Sequence, residues 1–216
     1  MTQADITTAQ LDRLKRLGTA TIHEAQGQQG AVDPRIAALH PGMRLAGPAL
    51  TVDVRPGDNL MIHYALTKAR PGDVLVVDAK GFAEAGPWGD VLTFAAQTIG
   101  LAGLVIDGAV RDAASIVEMG FPVFCRGVCI RGTNKQQPGK LGVPLIVGGA
   151  AIRPGDIVVG DRDGLVVVAR EQVAQVIEAS EARERKEQQM RERLAGGATM
   201  VELLELQDTL ARYGLH

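Results

Sequence analysis

The chain has 216 residues, 46% of them hydrophobic and 22% charged, the balance of a globular domain large enough to bury a core. Its formal net charge is −2 and only 3% of its residues are aromatic, so neither a cationic nucleic-acid surface nor a ladder of stacking rings is on offer. No apolar run approaches the ~20 residues of a membrane helix, and the N-terminus MTQADITTAQLDRLKRLG lacks the apolar stretch of a signal peptide, so a cytoplasmic protein is expected.

In chain order, Ala9, Leu11, Leu14 and Leu17 recur at near-helical spacing and predict a helix over 7–18 that Gly18 ends. A second short helix is expected over 19–25, capped by Thr19 or Thr21. The tetrapeptide Arg-Pro-Gly-Asp occurs at 55–58, 70–73 and 153–156. Pro followed by Gly suits the centre of a type II turn, because Pro presets φ and Gly accepts a positive φ. Strands are expected at 49–54, 74–78, 103–107, 122–126, 143–147, 156–160 and 165–169, the last two joined as a hairpin through an Asp-Gly turn at 163–164. Helices are expected at 59–69, 90–99 and 112–119, with Asp58 or Asn59 near the start of the first. This mixture gives an α/β or α+β layered domain. From about 171 the composition shifts to a long helix with an apolar start and a charged end, in which Glu181–Arg185 and Glu187–Arg191 are i,i+4 pairs. It reads as a solvated face or as a helix reaching over a neighbouring subunit. A last helix is expected over 199–212.

Residues 88–112, WGDVLTFAAQTIGLAGLVIDGAVRD, are apolar or small inside and charged at the ends. Asp90 precedes one helix, stopped by Gly100, and Asp112 precedes another, stopped by Gly120. Both aspartates therefore read as helix caps. The alternative is that two helix N-termini converge on a pocket. The amides of Val91 and Leu92 would then hold a carboxylate, Gly89 would let a ligand approach the backbone, and Arg111, at the C-terminal edge of a strand, would grip a carboxylate or enolate oxygen. Asp112 and Asp90 would supply oxygen ligands for Mg²⁺ or Mn²⁺. Cys125 and Cys129 are spaced too widely for a redox pair and read as packing residues, as do His63 and Trp88. His23 and Glu24 could face either way. No GxGxG loop follows the first strand, so a nucleotide-cofactor methyltransferase finds no support.

Asp90, Arg111 and Asp112 at this spacing resemble the signature of the regulator-of-ribonuclease-activity-A-like family, in its class II 4-hydroxy-4-methyl-2-oxoglutarate/4-carboxy-4-hydroxy-2-oxoadipate aldolase branch. TATIHEAQG (19–27), GDNLMIH (57–63), WGD (88–90), VIDGAVRD (105–112), RGTNKQQPGKLGVPLIVGG (131–149) and VVGDRDGLVVV (158–168) also match. The resemblance implies an α/β fold, a layered αββα sandwich of the swivelling phosphohistidine-domain type, with 1–170 as catalytic core and 171–216 as a helical tail packing on a neighbouring subunit. It implies homotrimers or hexamers with sites at subunit interfaces. It implies a metal-dependent retro-aldol cleavage of a 4-hydroxy-2-oxo acid to pyruvate, with oxaloacetate decarboxylation as a side activity. Carried over, Arg111 contacts the pyruvyl group, with Gly89, Val91 and Leu92 beside it. Asp112 anchors Mg²⁺ or Mn²⁺, Asp90 orients water, and Glu187 completes the neighbour's site. Two departures bear on the substrate: Ser115 stands where the family often has an acidic residue, and the tail GGATMVELLELQDTLARYGLH differs from aldolase tails. The rival class is a non-catalytic regulator that binds a ribonuclease.

Overall fold

The computed structural model describes residues 6–215; residues 1–5 and 216, which open and close the two expected segments, lie outside the described residues. The elements run α1 (Thr8–Leu17), α2 (Thr19–Ala25), β1 (Ala37–Ala38), β2 (Leu45–Asp53), α3 (Leu60–Leu66), β3 (Val74–Phe82), α4 (Asp90–Ile99), β4 (Gly103–Val110), α5 (Ala113–Glu118), β5 (Val123–Cys125) and β6 (Gly127–Val128). After them come β7 (Lys140–Leu141), β8 (Leu145–Val147), β9 (Ala150–Ile152), β10 (Ile157–Asp161), β11 (Gly164–Val168), α6 (Val173–Ala195), α7 (Met200–Leu203) and α8 (Gln207–Arg212).

The main sheet has the order β1-β5-β4-β3-β2-β10-β11. Strands β2 to β5 are parallel, as the continuous apolar runs VLVV and GLVI require of strands covered on both faces. The sheet nearly closes on itself: Val32 N–H donates to Leu165 O at 3.1 Å and Val167 N–H to Gly30 O at 2.9 Å, joining the segment before β1 to β11.

Side chains alternate between the two faces. One face sends Leu45, Ala49, Val74, Val76, Val105, Phe124, Val158 and Val167 inward, where Val147 and Ile152 of the β8–β9 hairpin complete the packing. On the outer face of the parallel strands, Val52, Leu75, Val77, Leu104 and Ile106 meet Ile62 of α3, Leu92 and Ala96 of α4, and Ile116 of α5. The outer face of β10 and β11 packs on Leu14, Leu17 and Ile22 and on Val173, Val176 and Ile177 of α6. Helices α3, α4 and α5 thus lie over the strands whose C-terminal ends carry the charges.

All three Arg-Pro-Gly-Asp turns form as expected. Gly57, Gly72 and Gly155 have φ of 72°, 88° and 86°, and each Asp N–H donates to its Arg carbonyl at 3.1 Å. The hairpin turn differs from expectation. Asp161 pairs with Gly164, so the loop is Arg162–Asp163, fixed by Asp163 N–H donating to Asp161 Oδ1 at 3.0 Å. The same carboxylate receives Thr19 N–H at 2.8 Å and Thr19 Oγ1–H at 2.6 Å. Neither Thr19 nor Thr21 caps α2; a carboxylate from a distant hairpin does. Strand β9 pairs with β8 across Gly148 and Gly149, which have φ of 52° and 79°, a turn suited to positive φ at both central positions.

In α6 only Val173, Val176, Ile177 and Ser180 are buried. Their spacing gives an apolar stripe two turns long, packed on α1 and α2 of the same chain. Glu181 is held by Arg13 of α1, which donates to it through Nε at 2.8 Å and Nη2 at 2.7 Å. The expected last helix divides into α7 and α8 at Glu205, whose φ is 52°. Among the described residues no helix is long and apolar enough to cross a membrane.

Candidate functional site

Strand β4 is buried along its whole length and delivers Arg111 at its C-terminal end. Backbone bonds hold the arginine there: Arg111 N–H donates to Trp88 O at 2.8 Å, and Cys129 N–H to Val110 O at 2.8 Å. Trp88 is fully buried and stacks on Phe121 at 6.2 Å. Its Nε1–H donates to Thr93 Oγ1 at 2.8 Å, and Thr93 Oγ1–H to Gly89 O at 2.9 Å. Tryptophan thus packs at the turn as expected and sets the angle at which α4 starts.

Two glycines let the arginine in. A Cβ on Gly86 would lie 2.9 Å from Arg111 Cβ and 2.6 Å from Cys129 O. A Cβ on Gly89 would lie 3.1 Å from Arg111 Nε and 2.4 Å from Asp112 Oδ2. Gly89 was expected to admit a ligand to the backbone; in the structure the groups that close on it are Arg111 and Asp112.

The structure separates the two aspartates read as caps. Gly89 occupies the N-cap of α4, and Asp90 is its first residue, with Oδ1 accepting Val91 N–H at 2.7 Å. Asp112 occupies the N-cap of α5, yet its side chain makes no capping bond. It faces α4 instead: Oδ2 lies 3.4 Å from Asp90 N and 3.4 Å from Arg111 Nε. Asp112 sits at φ 55° and ψ 38°, a left-handed conformation that costs a non-glycine residue ~1–2 kcal/mol. The carboxylate is thus aimed away from its own helix and does not cap it.

The start of α4 therefore carries three kinds of amide. That of Asp90 faces Asp112, that of Val91 is taken by Asp90, and that of Leu92 has no acceptor among the described residues. The side chains of Arg111 and Asp112 remain 47% and 38% exposed, so a solute can reach both. Neither Asp112 Oδ1 nor Asp90 Oδ2 has a hydrogen-bond partner among the described residues. These are hard oxygen donors open to water. Among the described residues no group of three His, Cys, Asp or Glu is gathered. A divalent cation at this place would have these two carboxylates as its protein donors, and water for the rest.

Glu187 is not part of this cluster within one chain. It lies on the outer half of α6, 3.0 Å from Arg183 Nε and 3.9 Å from Arg191 Nη1. Glu24, on α2, is 4.0 Å from the same Arg183. His63 lies exposed on α3 rather than in the core; partial burial first, and then Lys135, lower its pKa. Cys125 is buried as expected, which pushes its thiol pKa up; Cys129 is half-buried.

Sequence reasoning missed what Asp58 and Asn59 do. In the other two Arg-Pro-Gly-Asp turns the carboxylate accepts the N–H of its own arginine, at 2.8 Å in each. Asp58 instead accepts Leu60 N–H at 2.9 Å, Gln136 N–H at 2.8 Å and Gln137 N–H at 3.1 Å, clasping the 131–139 loop. Asn59 Nδ2–H donates to Pro87 O at 2.9 Å, tying α3 to the 83–89 loop. Burial opposes ionisation of Asp58, but the three backbone N–H groups outweigh it and hold its pKa below the usual value. The clasp is therefore complete above the ordinary carboxylate range and is lost as the pH falls through the lower folded value. Protection of the Gln136 and Gln137 amides, relative to their intrinsic exchange rates, should fall in that acid window and should already be low at neutral pH in Asp58→Ala. Equal protection in variant and wild type would contradict the clasp.

With this geometry in view, comparison with known proteins decides the family. A family model for RraA-like proteins (Aldolase/RraA) matches residues 19–167. The chain belongs to this family. It is 38% identical over 192 residues to a protein of Halalkalibacterium halodurans named "Putative 4-hydroxy-4-methyl-2-oxoglutarate aldolase", covering 86% of this chain and 90% of that protein. Among solved structures, an uncharacterized protein from Pseudomonas syringae pv. tomato superposes with a TM-score of 0.83 at 32% identity, covering 94% of this chain and 95% of that one. Streptomyces coelicolor RraAS2, described as an unusual member of the RNase ES inhibitor RraA protein family, does so with a TM-score of 0.76 at 32% identity, covering 87% of this chain and 98% of that one. The mixed α/β fold with a nearly closed sheet and a C-terminal helix is thus that of RraA-like structures.

Proposed function

We propose that this protein is a divalent-metal-dependent pyruvate aldolase. It would cleave a 4-hydroxy-2-oxo dicarboxylic or tricarboxylic acid to pyruvate and a second oxo acid, and decarboxylate oxaloacetate by the same chemistry. The observation that carries the reading is the convergence of Arg111 and the strained Asp112 on the N-terminus of α4. The named aldolase relative supports it.

Arg111 holds the C1 carboxylate and the C2 oxygen of the pyruvyl half through its planar guanidinium. The unpartnered amide of Leu92, at the positive end of α4, favours the same carboxylate. Asp90 takes the 4-hydroxyl proton, directly or through a water. As the 4-oxygen forms its carbonyl, the C3–C4 bond breaks, its electron pair becomes the C2–C3 double bond, the C2=O π pair moves onto the oxygen, and Arg111 stabilises the charge that develops there. Asp90, directly or through the same water, returns the proton to C3, which gives pyruvate. Asp112, with Asp90 beside it, would hold Mg²⁺ or Mn²⁺, which would supply Lewis-acid polarisation of the C2 carbonyl. A homotrimer or hexamer would bring Glu187 of a neighbouring tail helix to the open side of the site; within one chain, among the described residues, Glu187 pairs with Arg183 and Arg191.

The test is pyruvate release from 4-hydroxy-4-methyl-2-oxoglutarate and from oxaloacetate, followed by coupled lactate formation. Release should require Mg²⁺ or Mn²⁺ and stop with chelator. Asp112→Asn keeps the shape and removes the charge; it should lower release by roughly 100-fold or more and raise the metal concentration needed. Folded protein that releases no pyruvate with any divalent metal would rule the reading out. Capture of a ribonuclease by that same protein would favour the second reading, a protein-binding regulator, which the RraAS2 relative supports.

A further inference from the structure

We propose that Thr93 is a positioning residue for the reaction: its hydroxyl ties the first turn of α4 to the Trp88 segment that carries Arg111, and so fixes the amide end of the site against the guanidinium. The inference rests on the aldolase reading, which needs Arg111 and the start of α4 to act on one pyruvyl group.

The two halves come from different elements. Arg111 follows β4, and its N–H donates to Trp88 O at 2.8 Å. The amide of Leu92 belongs to α4. Between them lies Gly89, an N-cap without a side-chain capping bond, against which Arg111 and Asp112 close. A glycine by itself does little to fix the angle at which the helix leaves it.

Thr93 supplies that constraint. Its hydroxyl donates to Gly89 O at 2.9 Å and accepts Trp88 Nε1–H at 2.8 Å. Gly89 O also accepts Thr93 N–H at 3.0 Å, so one residue holds the N-cap carbonyl with both of its donors. The indole folds back over the helix that follows it, and Phe121 stacks on the ring at 6.2 Å and 15°. Trp88 and Thr93 are both fully buried, so water does not stand in for a lost bond. A threonine hydroxyl bonded to the carbonyl four residues back is ordinary in a helix. One that also receives an indole N–H from the residue before the N-cap ties the helix to the carbonyl that holds Arg111. Burial of α4 does not require the hydroxyl, because Leu92 and Ala96 already pack on the outer face of the sheet.

Steady-state pyruvate release by the intact protein with Mg²⁺ tests the assignment, with 4-hydroxy-4-methyl-2-oxoglutarate as substrate. Thr93→Val keeps the shape and loses both hydroxyl bonds. It should lower kcat by roughly 10- to 100-fold with KM nearly unchanged, since the displaced groups act in the transition state. Thr93→Ser keeps the hydroxyl and should recover most of the loss. Trp88→Phe removes the indole donor and should lower kcat in the same direction by a smaller factor. In an Arg111→Ala background Thr93→Val should cost no more than about 3-fold further, because the guanidinium it positions is gone. A merely structural loss would repeat its full factor there. Trp88 is the chain's single tryptophan, so its emission should change in Thr93→Val and return to the wild-type spectrum in Thr93→Ser. Wild-type kcat in folded Thr93→Val, or in Trp88→Phe should that variant alone fold, would overturn the role of Thr93 and leave the aldolase reading standing. An equal factor with and without Arg111 would do the same. A folded wild type that released pyruvate from neither this compound nor oxaloacetate would overturn both.

Discussion

Arg111→Ala is expected to lower kcat/KM for pyruvate release by roughly 100- to 1,000-fold, the usual loss when a donor aimed at a developing oxyanion is removed. The melting temperature should hardly move. The side chain is nearly half exposed, and its ion pair with Asp112 spans 3.4 Å, so little folding energy rests on it. Arg111→Lys should rescue only a fraction, because an ammonium cannot bond a carboxylate and the neighbouring oxygen from one plane. The decisive comparison is between aldol cleavage and oxaloacetate decarboxylation. Both develop charge on the same C2 oxygen, so both should fall by similar factors. If decarboxylation survived while cleavage was lost, Arg111 would be serving the distal half of the substrate, and the assignment of the pyruvyl half to it would be wrong.

The parts of the fold legible in the sequence were those dictated by local physics. Parallel strands β3 and β4 announce themselves because burial on both faces demands unbroken apolar runs. The three Arg-Pro-Gly-Asp turns follow from proline and glycine alone. What escaped depends on partners far away in sequence. Asp161 caps α2 from across the chain, and no pattern near residue 19 signals it. Asp58 has the same tetrapeptide as Asp73 and Asp156, but its carboxylate serves a loop almost eighty residues on. In the site the residue types were legible and their spacing left two readings open: Asp90 and Asp112 as helix caps, or as oxygen donors where two helix N-termini converge. Only the left-handed backbone of Asp112 turns its carboxylate toward α4 instead. The place of Glu187 could not be read from one chain at all, because within one chain its partners are the arginines of its own helix.

Gly89→Ala separates the site from the fold. The backbone of Gly89, at φ −151° and ψ −165°, is extended and open to any residue, so alanine strains nothing there. The added methyl would instead stand 2.4 Å from Asp112 Oδ2 and 3.1 Å from Arg111 Cγ. Both atoms belong to side chains that are part exposed and can swing aside. The fold should therefore survive with a stability change within ~1 kcal/mol. The site should not, since displacing a catalytic group by about 1 Å can cost ~100-fold, and here two groups are displaced together. Loss of activity close to that of Arg111→Ala is expected, with a raised metal requirement because Asp112 moves. Gly86→Ala supplies the contrast. There the methyl would meet Cys129 O at 2.6 Å and Arg111 N at 3.0 Å, backbone atoms of segments tied down by the Cys129 N–H to Val110 O and Arg111 N–H to Trp88 O bonds rather than free side-chain ends, so overpacking should cost ~1–3 kcal/mol of stability. Thermal melts beside kcat/KM and a Mg²⁺ titration read the difference. If Gly89→Ala kept wild-type activity and metal dependence, then neither Asp112 nor the Arg111 stem would need the position the structure gives it, and the convergence on α4 could not be the working site.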